Sequence, residues 1–218
     1  MIIAIDGPSG SGKSTLGRML ARELNLLYLD TGSMYRAVAL ATIEARIDPT
    51  DSEAVVTVAE VAEIDLAGDP DSLKVWLNDR DVTEEIRTES VTAMSSVVST
   101  IPGVRRAMVK RQREMGERGA VLNGRDIGTV VFPNADLKFF LTASPEERAE
   151  RRFNEDRQAN AHVSLEQTMT EMTERDRRDS TRADSPLKIA EDAIVIDSSA
   201  LSIEQVFARM MEYVHRHH

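Results

Sequence analysis

The segment Gly7-Pro8-Ser9-Gly10-Ser11-Gly12-Lys13-Ser14 fits the pattern G-x-x-x-x-G-K-[ST]. It lies between an apolar run, Ile2–Ile5, and a helical pattern with Leu16, Met19, Leu20 and Leu24 on one face. That order forces a strand, a tight glycine-rich loop and a helix. The glycines let the backbone curl so that successive N–H groups face phosphate oxygens. The helix that follows adds the partial positive charge of its N-terminus. In such a loop Gly7 to Thr15 cradle the phosphates of ATP, Lys13 reaches the β- and γ-phosphates, and the Ser14 hydroxyl ligates Mg²⁺.

Four more short apolar runs alternate with helical patterns: Leu26–Leu29, Ala120–Leu122, Leu137–Leu141 and Ala193–Ile196. Five strands separated by helices predict an α/β fold, a five-stranded parallel sheet covered on both faces in a three-layer α/β/α arrangement. Capping boxes are expected at Ser144–Glu147, Ser164–Gln167 and Ser202–Gln205. Two stretches break the alternation. Residues 33–105 are long and mixed, with a strand-like Leu73–Leu77 and a turn at Asn78-Asp79. Residues 148–182 are densely charged. Both are read as insertions on a single core made of about residues 1–32, 106–147 and 183–218.

Charge narrows the function. With 37 acidic and 27 basic residues the net charge is −10, which repels nucleic acid polymers and anionic membranes. No apolar stretch is long enough for a membrane span. Met1–Ile5 has no basic segment before it, so a secretory leader is not expected, and the chain has no cysteine. A monomer in the cytoplasm is the expectation. A GTPase would carry N-K-x-D, and no Asn-Lys pair occurs.

The basic residues are 22 Arg against 5 Lys. Arginine presents a planar fork that matches phosphate oxygens. Eight arginines fall between residues 148 and 182: Arg148, Arg151, Arg152, Arg157, Arg175, Arg177, Arg178 and Arg182. Interleaved Asp and Glu allow some of these to be solvated ion pairs. The others suit a segment that closes over ATP, excludes water and supplies charge. Arg36 follows the second strand and Arg125 follows the third, so both belong at the carboxyl edge of the sheet beside the phosphate loop.

Four motifs, Gly7–Thr15 (GPSGSGKST), Leu29–Arg36 (LDTGSMYR), Gly124–Phe132 (GRDIGTVVF) and Glu174–Leu187 (ERDRRDSTRADSPL), together resemble the bacterial-type cytidylate kinase family over nearly the whole chain. The resemblance implies a P-loop nucleoside monophosphate kinase. Residues 33–105 would be the monophosphate-binding insertion and 148–182 an arginine-rich lid. It implies that Ser9, Thr31, Arg36, Arg125 and Arg182 line the CMP phosphate side, that Arg175 and Asp179 hold the ribose, and that Ser96, Arg105 and Asp126 read the cytosine edge. Lys13, Arg125 and Arg182 would be catalytic, with Arg151 and Arg157 on ATP. An acceptor at Asp126 and a donor at Arg105 complement the cytosine N4 amino group and N3, an edge that uracil inverts. Asp30 and Asp126 are both candidates for a carboxylate on the metal side. The rival enzyme readings are kinases for UMP, AMP or shikimate; the rival outside enzymes is an ATP-binding module without turnover.

Overall fold

The computed structural model describes residues 1–158 and 164–217. The chain runs β1 (Ile2–Asp6), α1 (Lys13–Glu23), β2 (Leu27–Asp30), α2 (Thr31–Glu44), α3 (Ser52–Val61), β3 (Ile64–Ala67), β4 (Lys74–Leu77), β5 (Arg80–Asp81), α4 (Glu89–Val98), α5 (Pro102–Gly116), β6 (Ala120–Gly124), a π-helical turn (Ile127–Val131), β7 (Leu137–Thr142), α6 (Pro145–Gln158), α7 (Leu165–Thr181), β8 (Ile194–Asp197) and α8 (Ile203–His217).

Five strands form a parallel sheet in the order β2-β6-β1-β7-β8. These are the five expected apolar runs, each shifted by no more than a residue or two. Side chains alternate across a strand, so β1 feeds two cores. Ala4, with Leu29 and Leu122, packs under Met34 and Val38 of α2 and Val104 and Met108 of α5. Ile3 and Ile5, with Val121, Phe139 and Leu141, pack under Leu16 and Leu20 of α1 and Val206, Met210 and Val214 of α8. Each fully buried aliphatic side chain contributes roughly 1.5–3 kcal/mol, which holds the strand ends in register for the site above them.

After β1 the chain crosses to β2, and after β6 it crosses back to β7 on the other side of β1. The crevice at this change of direction lies above the carboxyl ends of β1 and β6, where open parallel sheets bind ligands. The close quarters there explain Gly7: its φ is +149°, and a Cβ would sit 2.1 Å from the Leu141 carbonyl oxygen.

Residues 33–105 carry a separate antiparallel sheet, β3-β4-β5. Its β4–β5 hairpin turns on Asn78 and Asp79, both at positive φ (48° and 61°), as a two-residue type I′ loop requires. The expected boundaries at 32/33 and 105/106 fall inside α2 and α5, so this region joins the core through two continuous helices. The expected boundary at 147/148 likewise falls inside α6, which packs against α7. Ser164 and Ser202 complete reciprocal capping boxes with Gln167 and Gln205. Ser144 does half of this: its Oγ accepts from Glu147 N–H, while its own N–H donates to Ser199 Oγ.

Candidate active site

The phosphate loop rises from β1 and ends at α1. Lys13 is buried, and its Nζ curls back to donate to the Pro8 carbonyl and to Ser11 Oγ (3.2 Å). Burial, reinforced by the Arg125 and Arg175 guanidinium groups, holds the Lys13 ammonium well below the ordinary lysine range, against the opposing pull of Asp6 and Asp176.

One cleft beside the loop is lined by seven cationic side chains, Lys13, Arg36, Arg105, Arg125, Arg152, Arg175 and Arg182, against four acidic ones, Asp30, Asp126, Glu155 and Asp179. Burial disfavours the Arg36 charge, with Arg152, Arg125 and Arg87 adding to the effect against Asp30. Arg175 is pushed down to about 9 by burial and by Arg125 and Arg36. The Arg36 Nε and Arg182 Nη2 atoms are buried without a hydrogen-bond acceptor among the described residues. Crowded, desolvated cations with idle donors fit a polyanionic ligand.

The far end of the cleft is an alternating ion chain. Arg105 donates to Asp126 (2.6 Å), Asp126 lies 3.7 Å from Arg182, Arg182 lies 3.3 Å from Asp179, and Arg125 Nε donates to Asp179 (2.8 Å). Arg125, Arg175 and Arg182 hold the Asp179 carboxyl below the usual range despite its burial. Arg105 stays above its ordinary range although burial opposes its charge, because Tyr35 and Asp126 favour it; its guanidinium lies 5.3 Å from the Tyr35 ring centroid.

Asn123, at the end of β6, organises the opposite side. Its Nδ2 donates to Ser14 Oγ (3.1 Å) and to Asp30 Oδ1 (3.4 Å). A hydroxyl and a carboxylate are thus held side by side next to the phosphate loop. Hard oxygen donors in this arrangement suit a small divalent cation that keeps water and phosphate oxygens as its other ligands. Of the two carboxylates considered, Asp30 lies beside Ser14 and also accepts from Ser33 Oγ (2.9 Å), whereas Asp126 is committed to arginines.

Most residues expected at the site come together here: Ser9, Gly10, Gly12, Lys13, Ser14, Thr15, Thr31, Arg36, Arg105, Arg125, Asp126, Arg175, Asp179 and Arg182 all line the cleft. Thr31 is held by donating to the Asn123 carbonyl (2.8 Å). Gly7 and Pro8 shape the loop from behind. Arg151 lies elsewhere. It donates to Glu147 (3.0 Å) and to Ser198 Oγ and O (2.9 and 2.8 Å), in a second recess shared with Ser11, Asn154, Leu201 and Ile203 on the other side of the loop. Two further expected residues do not line the cleft in this structure. Arg157 is exposed and stacks on Phe153, 5.7 Å from its centroid, lining neither recess. Ser96 does not line the cleft: on α4 it is turned about 100° from Ser95 and about 60° from Ser99, which do.

Sequence reasoning missed Asp6, Tyr35, Asn123 and Asp176. Tyr35 and Asp176 fall within the quoted motifs and Asp6 and Asn123 abut them; that proximity marked their neighbourhood but not their partners.

The cytidylate kinase family model matches residues 3–216. A cytidylate kinase from Desulforamulus reducens is 52% identical over 216 residues, covering 98% of this chain and 96% of that protein. One from Halalkalibacterium halodurans is 47% identical over 215 residues, covering 98% and 97%. Among solved structures, an uncharacterized protein from Eubacterium ventriosum shares the fold, with a TM-score of 0.54 at 11% identity and 99% and 98% coverage. A phosphate loop facing a buried arginine cleft, together with similarity that spans almost every residue, shows that the chain belongs to the cytidylate kinase family.

Proposed function

We propose that this protein transfers the γ-phosphoryl group of ATP to CMP, giving ADP and CDP, with dCMP as a second acceptor. The observation that carries this reading is the excess of buried cations in one cleft beside the phosphate loop, with donors left idle. A module that only binds ATP has no use for Arg36, Arg105, Arg125 and Arg182 beyond the γ-phosphate.

In this reading the phosphate loop and Lys13 hold the β- and γ-phosphates. The recess beside Arg151, Ser198, Leu201 and Ile203 receives the adenosine end. Ser9, Arg36, Arg125 and Arg182 grip the CMP phosphate, Arg175 and Asp179 the ribose, and Arg105 with Asp126 the base. Ser95 and Ser99 border that end beside Ser96, the residue that the family resemblance assigns to the base. No general base is needed, since the attacking phosphate oxygen is already anionic. Catalysis is positioning and charge neutralisation, with Lys13, Arg125 and Arg182 facing the transferred group. Ser14 and Asp30 would hold Mg²⁺, which when bound neutralises phosphate oxygens. Residues 33–105 act as the acceptor-binding insertion and 148–182 as the lid that excludes water. ATP and CMP are held in the cytoplasm, where a monomer of this kind would work.

The test is a panel of CMP, dCMP, UMP and AMP with coupled detection of ADP. CMP and dCMP should give the highest kcat/KM. Preference for AMP, or ADP release independent of acceptor, overturns the reading.

A further inference from the structure

Asp6 is the last residue of β1, directly before Gly7, and its side chain is only 4% exposed. It does not line the cleft. Its two carboxylate oxygens are each filled by a backbone amide from across the sheet: Oδ1 accepts from Ile127 N–H (2.9 Å) and Oδ2 from Gly128 N–H (2.8 Å). These amides open the π-helical turn Ile127–Val131, where no intrahelical acceptor exists for them. The turn's other end is held by Arg113, which donates to the Val130 and Val131 carbonyls (2.7 and 2.8 Å). A neutral side chain such as Asn offers one acceptor where two are needed, which accounts for a carboxylate at a buried position. Turns of this π type are rare and concentrate near functional sites.

The residue just before the turn is Asp126, whose carboxylate holds Arg105 at 2.6 Å and faces Arg182 at 3.7 Å. The peptide planes that Asp6 fixes are therefore the ones that aim Asp126. We infer that Asp6 is a positioning residue for acceptor choice: by holding the Ile127 and Gly128 amides it sets where Asp126 and Arg105 meet the base of the bound nucleotide. The inference rests on the reading of Asp126 as the group that accepts from the cytosine amino group. Asp6 also favours the Lys13 charge, and a role exercised through Lys13 makes a different prediction. That role would act at the phosphates and change all acceptors alike.

The experiment measures kcat/KM for CMP and UMP in wild type and in three variants. Asp6→Asn keeps the size but turns an NH₂ group toward one amide. Gly128→Ala keeps the Asp6 charge and crowds the same contact, since a Cβ there lies 3.1 Å from Lys138 Cδ and 3.4 Å from Asp6 Oδ2. Asp126→Asn removes the base reader itself. Asp6→Asn and Gly128→Ala should each lower the CMP-to-UMP ratio by about tenfold, mainly through KM for CMP, with KM for ATP unchanged. Should Asp6→Asn fail to fold, Gly128→Ala decides. If Asp126→Asn changes the ratio while the other two leave it at the wild-type value, the Asp6 inference is overturned and the base reading stands. If Asp126→Asn leaves the ratio unchanged, the base reading falls and the inference falls with it. Equal losses for CMP and UMP in Asp6→Asn assign the residue to Lys13 and overturn the inference.

Discussion

The carboxylate of Asp176, on α7, accepts a hydrogen bond from the backbone N–H of Ser9 in the phosphate loop (3.2 Å). The same carboxylate pairs with Arg148 of α6 (2.5 Å), and Arg148 also donates to the Ser9 carbonyl (3.0 Å). Arg148 of α6 and Met172 of α7 close over the loop as well: a Cβ at Gly10 would lie 2.7 Å from the Arg148 carbonyl oxygen and 3.0 Å from Met172 Cε. Two polar contacts thus clip the arginine-bearing helices to the phosphate loop, and the Arg148–Asp176 pair ties the two helices to each other. Both ion-pair partners are mostly shielded from water, so the contact is worth more than a surface salt bridge.

Asp176→Asn should loosen this clip. Removing one partner of a shielded, hydrogen-bonded pair costs on the order of 1–3 kcal/mol. Hydrogen exchange of the amides of residues 8–12 and 165–181 in the free protein should then speed up by roughly tenfold or more. Wild-type exchange rates in the variant would show that the helices are held by packing alone.

Lys13→Ala should lower kcat by about 10²-fold or more, because its charge matters most where charge develops in the transferred group. The fold should persist, since the Lys13 ammonium is bonded only to its own loop. Its ionisation gives a second readout. Burial and neighbouring guanidinium groups depress the ammonium in the free protein, and bound phosphates favour it. ATP binding at alkaline pH should therefore take up protons, read by calorimetry in buffers of different ionisation enthalpy, and the uptake should be smaller in the variant, where Arg175 is the remaining depressed cation of the cleft.

Much of this architecture was legible in the sequence, for identifiable reasons. The five apolar runs are short and separated by helical periodicity, and the three inner ones, β1, β6 and β7, are buried on both faces, so the sheet announced itself. The phosphate loop is a local motif, and Arg36 and Arg125 follow strand ends, so their place at the carboxyl edge followed from topology. Asp6 and Asn123 were not legible because their roles depend on partners far away in sequence: Asp6 answers amides more than 120 residues on, and Asn123 joins Ser14 to Asp30. The π-helical turn has no compositional mark. Arg157 is the reverse case: an arginine among other arginines carried an expectation of ATP contact, and the structure has it exposed against Phe153.

Asp30→Asn tests the metal side. Asp30 caps α2 by accepting from Gly32 N–H (3.2 Å), so the amide oxygen of Asn can keep the cap while the charge is lost. The Mg²⁺ concentration for half-maximal rate should rise by about tenfold, the scale expected for supporting groups around a metal, with KM for CMP little changed. An unchanged Mg²⁺ requirement would leave Ser14 as the protein's contribution and return Asp30 to a capping role.

Asp6 also predicts a pH dependence of stability whose sign can be worked out. Burial raises its carboxyl from the usual aspartate value to about 6, against the two amide hydrogen bonds and Lys13, which lower it, and with Asp126 adding to the rise. Between about pH 4 and pH 6 the folded protein therefore binds a proton at Asp6 that the unfolded chain has released. Stability from this group is full below about pH 4 and is lost as pH rises through about 6, by roughly 3 kcal/mol for a shift of about two units. Other carboxylates move the opposite way: Asp179, held low by its arginines, loses stability as pH falls. Comparison with Asp6→Asn removes those common contributions, because Asn does not titrate. The unfolding free energy of wild type minus that of the variant, measured by denaturant titration, should fall by roughly 3 kcal/mol between pH 4 and pH 7.5 and stay level above. A difference that rises over the same interval would mean that the Ile127 and Gly128 amides outweigh burial, so that the ionised carboxylate is the favoured form throughout.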